Sequence, residues 1–219
     1  MVMEILKHTF LDILCPQPCV LCTQCIASSE PSYPFCLTCR CYVTFFPLMS
    51  RVQAWAHYSL GLYDDVLKKS IQRFKFEGMH AVGTFLAKEF VNHWKNKKVF
   101  DDVDLICPIP ISRQRYFYRG FNQSALLARY IGKSFDIPVH EKLLKKIRDI
   151  VPQMELKREE RLNNVVGAFC LTSKIDLTGK RIILLDDVLT TGATILECIR
   201  IIQQEYPSCT FKIITLAQA

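Results

Sequence analysis

Two adjacent carboxylates, Asp186 and Asp187, stand between an apolar run and a loop rich in hydroxyl groups. The run at 181–185 follows a turn signal and predicts a buried strand. Past the acids, Thr190-Thr191-Gly192-Ala193-Thr194 opens a helix whose apolar residues fall on one face. The first N–H groups of a helix lack intrahelical partners and lie at the positive end of its dipole. This loop therefore predicts a phosphate site.

The position of the acids restricts what else the ligand carries. Carboxylates directly beside a phosphate would repel it, so Asp186 and Asp187 are better suited to accept hydrogen bonds from sugar hydroxyls one step away. Gly192 lets the backbone approach closely, and the threonine hydroxyls add donors. The residues predict a ribose 5-phosphate ligand that brings its own metal. An ordinary capped strand-to-helix turn is the alternative, although a cap needs only one such residue.

A second apolar run, Val103 to Pro110, predicts another buried strand that leads through a glycine-bearing turn into a helix. The turn, Arg119-Gly120-Phe121-Asn122, and the following Gln123 offer an arginine and two amides where anionic oxygens can bind. Ligands of open α/β sheets bind at the carboxyl ends of the strands. We therefore expect the two turns to bind opposite ends of one ligand. A capped turn without function is the alternative.

Aromatic residues alternate with arginines just before this turn, at Tyr116, Phe117, Tyr118 and Phe121. Cations for the backbone and rings for the bases are what a single-stranded nucleic acid surface requires. The alternative is that the rings only anchor the loop to the sheet.

Seven of the eleven cysteines lie before residue 42. Four of them form two Cys-x2-Cys knuckles with the spacing of a tetrahedral zinc site: Cys19, Cys22, Cys36 and Cys39. The segment is too short to have a core of its own, so metal binding would supply its folding free energy. Cys25 as a partner of Cys22, and Cys41 in place of Cys39, are alternative ligands. An iron–sulfur cluster or a redox pair is the alternative to zinc.

Length and composition predict an α/β protein in two parts. The chain has 219 residues, half of them hydrophobic, and a net charge of +7. We expect a parallel sheet flanked by helices at 49–219, after an N-terminal helix and cysteine module at 1–48. The apolar runs are too short for a membrane span, and charges interrupt the N-terminal segment, unlike a signal peptide. A cytoplasmic protein is expected.

Two further stretches carry clustered charge. Asp64 predicts the start of a helix whose basic residues should form a solvated face: Lys68, Lys69, Arg73 and Lys75. A polar stretch between two predicted strands near 143–171 suggests a lid over a charged ligand, with a solvated hairpin as the alternative. Its candidate ligand contacts are basic: Arg148, Lys157, Arg158 and Arg161.

The order of these motifs resembles the ComF/GntX family of competence proteins over nearly the whole chain. The double-aspartate loop is similar to the 5-phosphoribosyl-1-pyrophosphate (PRPP) loop of type I phosphoribosyltransferases. The cysteine knuckles, the 119–123 segment and the 161–169 segment precede that loop in the family's order.

The resemblance implies a type I phosphoribosyltransferase-like fold that binds PRPP with Mg²⁺, plus a structural zinc. Asp186 and Asp187 would bind the ribose, 190–194 the 5-phosphate and 119–122 the pyrophosphate. It also implies a role in natural transformation, on single-stranded DNA with other competence proteins such as a DNA-uptake helicase. A salvage phosphoribosyltransferase that joins a nucleobase to PRPP is the alternative. A PRPP-sensing regulator would need a helix-turn-helix, and this chain begins with cysteine knuckles instead.

Overall fold

The structure is a computed structural model and describes residues 17–26, 34–148 and 165–219. The predicted N-terminal helix, Cys15, Lys157, Arg158 and Arg161 lie outside these residues. The described helices are α1 (Leu37–Arg40), α2 (Asp65–Phe76), α3 (His80–Trp94), α4 (Arg113–Arg119), α5 (Gln123–Phe135) and α6 (Ala193–Glu205). No helix in this part of the chain is long and apolar enough to cross a membrane.

The described strands form one large sheet and two small hairpins. They are β1 (Gln17–Pro18), β2 (Cys25–Ile26), β3 (Leu48–Val52), β4 (Trp55–Leu62), β5 (Leu105–Pro108), β6 (Leu144–Lys146), β7 (Phe169–Leu171), β8 (Arg181–Leu185), β9 (Val188–Leu189) and β10 (Thr210–Gln218). The large sheet has the order β3-β4-β10-β8-β5, and β9 also pairs with β10. Only β3 is antiparallel to its neighbour, so the predicted parallel sheet is confirmed.

Helices cover both faces of this sheet. One apolar cluster joins α2, α3 and α5 to the sheet, and a second joins α6 and the β6–β7 hairpin to the other face. The cysteine module belongs to the first cluster, because Phe35 is fully buried and its ring lies 5.2 Å from that of Phe85 on α3. The module therefore packs directly on the helical layer. The boundary near residue 48 stays a prediction.

Two helix starts show how local sequence positions the chain. Asp64 caps α2 as predicted, since its Oδ1 accepts the Leu67 N–H at 2.8 Å. Gly192 precedes α6 with φ of 76°, and a Cβ there would lie 3.0 Å from Val52 Cγ1. Both the left-handed backbone and the close approach require glycine.

Helix α4 was not predicted. The sequence indicated a turn between β5 and α5, whereas the structure has a seven-residue helix there. The Ser112 hydroxyl caps its start by accepting the Arg115 N–H at 3.3 Å, and Gly120 ends it at φ of 76°. Two caps at this spacing stabilise a short helix that has no buried residue.

A buried histidine links three strands. His57 on β4 is fully buried, and its two ring nitrogens lie 2.8 Å from the hydroxyls of Ser50 and Thr215. The Ser50 hydroxyl in turn donates to Gln218 at 3.0 Å. Burial lowers the pKa of His57 to about 4, so the ring is neutral at physiological pH.

This histidine should make stability depend on pH. The unfolded chain binds a proton on His57 near pH 6.5 and the folded chain only near 4, so stability falls as pH drops through this window. We expect the free energy of unfolding to lose about 2 kcal/mol more in wild type than in His57→Gln between these pH values. Urea denaturation at several pH values measures the difference. Parallel pH profiles in the two proteins would contradict the assignment.

Candidate functional site

The two acids lie at the carboxyl edge of the sheet, as predicted. They follow β8 directly, next to the end of β5, and the loop beyond them leads into α6. A small cavity of about 30 Å³ lies between the acids and the helix start. It is lined by one acid, the loop and the first helical residues: Asp186, Val188, Leu189, Thr190, Thr191, Gly192, Ala193, Thr194 and Ile195.

Asp187 is buried, and each of its two carboxylate oxygens has a polar partner. Its Oδ1 lies 2.7 Å from Lys75 Nζ, and its Oδ2 accepts a hydrogen bond from Gln123 Nε2, also at 2.7 Å. The prediction that Lys75 lies on a solvated face is therefore wrong. Lys68 and Lys69 are exposed as expected, but Lys75 lies in the last turn of α2, where the buried carboxylate of Asp187 pairs with it.

Asp186 differs from its neighbour because it is only half-buried. Its Oδ1 accepts hydrogen bonds from the Ser124 hydroxyl at 3.1 Å and from the Asp187 N–H at 2.9 Å. Among the described residues, nothing donates a hydrogen bond to Oδ2. Burial, and then the charge of Asp187, raise the pKa of Asp186 to about 7. One acid of the pair thus keeps an oxygen available beside the cavity.

Arg119 reaches the acids through an amide. Its Nη1 donates to Gln123 Oε1 at 3.0 Å, and its guanidinium carbon lies 4.9 Å from the centre of the Phe76 ring. Burial and the nearby Arg115 lower the pKa of Arg119 from its usual value. The predicted pyrophosphate-side arginine therefore lies in one hydrogen-bonded chain with Gln123 and Asp187.

The other three residues of the predicted turn, Gly120, Phe121 and Asn122, fix the conformation of its backbone. Asn122 caps α5, since its Oδ1 accepts the Ser124 N–H at 3.0 Å and its Nδ2 donates to the Ile109 carbonyl at 3.1 Å. The Phe121 ring packs 4.4 Å from His80. Gly120 supplies the left-handed end of α4. Only Arg119 of the four directs a charged group towards the acids.

The rings before the turn are exposed. Tyr116, Phe117 and Tyr118 are 55%, 85% and 77% exposed, so the interpretation that they anchor the loop is wrong for these three. Phe121 does anchor the turn, but its ring packs against Phe74 of α2 and His80 of α3. The difference arises because the three rings lie on the unpredicted helix α4, which has no buried residue.

The predicted lid region is partly described. Strands β6 and β7 form an antiparallel hairpin, and Arg148 at its edge donates to the Val166 carbonyl at 2.9 Å. The buried Glu197 on α6 accepts the Gly167 N–H at 2.8 Å and pairs with Arg200. The hairpin base is thus tied to α6, the helix that follows the double-aspartate loop.

The four predicted knuckle cysteines converge. Their sulfur atoms all lie within 4.8 Å of one another: Cys19, Cys22, Cys36 and Cys39. The Cys36 N–H lies 3.4 Å from the Cys19 sulfur, the geometry in which backbone amides stabilise thiolates. Cys41 is exposed and its thiol contacts the Leu37 carbonyl instead. Cys41 therefore does not take the place of Cys39 in this cluster.

The chain is similar in sequence to several known proteins. Residues 125–219 match the phosphoribosyl transferase domain family. Competence protein F of Haemophilus influenzae is 28% identical over 194 residues, 84% of each chain. Competence protein ComFC of Bacillus subtilis is 34% identical over 140 residues, 63% of this chain and 53% of that one. DNA utilization protein YhgH of Escherichia coli K12 is 24% identical over 198 residues, 84% of this chain and 86% of that one.

Solved structures are more distant. The purine phosphoribosyltransferase from Pyrococcus horikoshii Ot3 aligns with a TM-score of 0.38 and 18% identity, covering 61% of this chain and 74% of that one. A TM-score this low carries no argument about the site.

Sequence reasoning missed Lys75 and Gln123 as partners of the acids. Lys75 is one of several basic residues on α2, and its spacing does not distinguish it from the exposed ones. Gln123 gave a weak signal, since it follows the Arg119 turn and begins a helix. Both contacts join residues far apart in sequence, and only the tertiary packing brings them together.

The pairing of Lys75 predicts a specific cost. Lys75→Met should lower the free energy of unfolding by about 2–4 kcal/mol, because a buried carboxylate loses its cation. Lys68→Met, on the exposed face of the same helix, should change it by about 0.5 kcal/mol or less. Chemical denaturation measures both variants. The double variant with Asp187→Asn should recover part of the loss, and equal losses at positions 68 and 75 would refute the pairing.

Proposed function

Since this chain belongs to the ComF family of phosphoribosyltransferase-like proteins, we propose that it is a competence protein that binds PRPP and acts on single-stranded DNA. Its relatives in Haemophilus influenzae and Bacillus subtilis are named as competence proteins, and the Escherichia coli relative as a DNA utilization protein. We place its action in the cytoplasm, with other competence proteins such as a DNA-uptake helicase as its partners.

One observation carries the PRPP part of the proposal. Asp186 keeps one carboxylate oxygen available at the mouth of a cavity whose other wall is the start of α6. A ribose hydroxyl can donate to that oxygen, while the loop N–H groups and the hydroxyls of Thr190, Thr191 and Thr194 bind the 5-phosphate. Ala193 and Gly192 leave the backbone accessible to it. The ligand is thus a sugar with a phosphate one step away.

We assign different roles to the two acids. Asp186 binds the ribose hydroxyls, and Asp187 acts on the ribose side mainly by holding Lys75 and Gln123 in place. The cation next to Asp187 also reduces the negative charge of the pair. This reduction favours the approach of a polyanionic ligand.

In this proposal, the pyrophosphate group of PRPP binds at the turn formed by Arg119, Gly120, Phe121 and Asn122. Arg119 supplies the positive charge, and Phe121 and Asn122 hold the backbone that carries it. Mg²⁺ bound with PRPP would neutralise the pyrophosphate oxygens. Lid contacts from Arg148, Lys157, Arg158 and Arg161 remain part of the proposal, since basic groups would stabilise charge on a departing pyrophosphate.

The cysteine cluster fits zinc. Four thiolates without a histidine or carboxylate form the closed tetrahedral set of structural zinc sites. Zinc there would supply folding free energy to a segment with short strands and a single-turn helix. We propose Cys19, Cys22, Cys36 and Cys39 as its ligands.

The site assignment predicts a loss of affinity. Asp186→Asn should weaken Mg·PRPP binding about tenfold or more, since a charged hydrogen-bond acceptor to the ribose is replaced by a neutral amide. Asp101→Asn, at an exposed position away from the loop, should bind as wild type does. Isothermal titration calorimetry measures both, with circular dichroism as the check on folding. Wild-type affinity in Asp186→Asn would defeat the assignment.

The match of residues 125–219 to the phosphoribosyl transferase domain favours a second candidate, a nucleotide-salvage enzyme that joins a nucleobase to PRPP. The same protein preparation separates the two functions. Incubation with Mg·PRPP and a panel of nucleobases should release no pyrophosphate if the protein is a binding module. Release that depends on one base identifies the salvage enzyme.

Metal analysis tests the cysteine cluster. Wild type and Cys41→Ser should each contain about one zinc ion per chain, whereas Cys22→Ser should lose it. Of these two cysteines, only Cys22 belongs to the proposed set of four ligands. The two cysteines are both exposed, so they form a matched pair. Inductively coupled plasma mass spectrometry gives the metal content. Iron in place of zinc, or zinc retained in Cys22→Ser, would overturn the proposed centre.

A further inference from the structure

Helix α4 presents three aromatic rings to solvent. Tyr116, Phe117 and Tyr118 are each more than half exposed, and no residue of α4 is buried. A helix gains little stability from propensity alone, and α4 has no apolar face that packs on the protein. Large exposed rings on such an element indicate a binding surface, because exposed apolar patches on soluble proteins are usually small.

Two adjoining cavities separate α4 from the β6–β7 hairpin. One has a volume of about 390 Å³ and is lined on the α4 side by Tyr116 and Phe117. The other, of about 360 Å³, continues from it towards Arg148. Both are lined by Arg113, Lys145 and Lys146, and the described lining residues include no acid. The groove therefore combines exposed rings with a row of positive charge.

We propose that single-stranded DNA lies along this groove. Tyr116 and Phe117, the two rings that line the groove, stack with unpaired bases, and Arg113 and Lys145 bind the phosphates between them. The inference rests on the proposed action on single-stranded DNA and adds where the strand binds. We name the groove between residues 113–118 and 144–148 the ring groove.

The positive charge of the ring groove favours single-stranded DNA over a second copy of this chain as the bound partner. Two copies that pair through the same face would place the arginines and lysines of both ring grooves against each other. A polyanion instead neutralises them. The planar faces of Tyr116 and Phe117 suit bases that are free to unstack, so a duplex fits less well than a single strand.

Paired variants test the ring groove. Fluorescence anisotropy with a labelled oligothymidine would compare Tyr116→Ala/Phe117→Ala with Tyr42→Ala/Phe46→Ala, whose rings are 76% and 69% exposed elsewhere. We expect the ring-groove pair to weaken binding about a hundredfold, since each lost stack costs about tenfold. The control pair should bind as wild type does.

A charge-matched pair tests the cations. Arg113→Glu/Lys145→Glu should weaken binding and reduce the slope of log affinity against log salt by about 1.4, the share of two phosphate contacts. Lys95→Glu/Lys97→Glu has the same charge change on exposed residues next to α3 and should leave most of the affinity. Titration of Mg·PRPP into each variant confirms that the ligand site is intact.

The outcomes separate this inference from the proposed function. No oligonucleotide binding by wild type would defeat the proposed action on DNA and the ring groove with it. Binding that survives both ring-groove variants would overturn only the location. Equal affinity for a duplex of the same length, or a wild-type dimer that Tyr116→Ala/Phe117→Ala dissociates in sedimentation, would also overturn the single-strand assignment.

Discussion

The carboxylate of Asp187 is the interaction on which the arrangement of this site depends. It joins three elements, because Lys75 comes from α2, Gln123 from α5 and Asp187 from the end of β8. A buried carboxylate is costly unless both oxygens are paired, so these contacts must form together. Once they form, Arg119 lies on the same hydrogen-bonded chain, and Asp186 alone keeps an oxygen free beside the loop.

The pair of acids shows how one environment separates two identical side chains. Asp187 is buried against a cation, whereas burial and the neighbouring charge raise the pKa of Asp186 to about 7. A carboxyl with this pKa can change its protonation state near neutral pH.

The chain brings its candidate sites together around the sheet edge. The proposed PRPP site, the Arg119 turn and the proposed ring groove all follow the carboxyl ends of β5 and β8. The cysteine module lies on the helical face instead, where Phe35 packs against Phe85 of α3. We therefore expect the proposed zinc to support the fold of that face and to take no direct part in ligand binding.

Local signals were sufficient for the parallel sheet, the Asp64 cap, the Gly192 turn and the four converging cysteines, because each depends on residue type at short spacing. Helix α4 was missed because only a single capping residue marks each of its ends. The helix also has no apolar face that would predict it from the sequence. The pairing of Lys75 with Asp187 could not be predicted from the sequence either, because the two residues are 112 positions apart. Only the tertiary structure decides which lysine meets the acid and which rings stay exposed, because packing brings distant residues together.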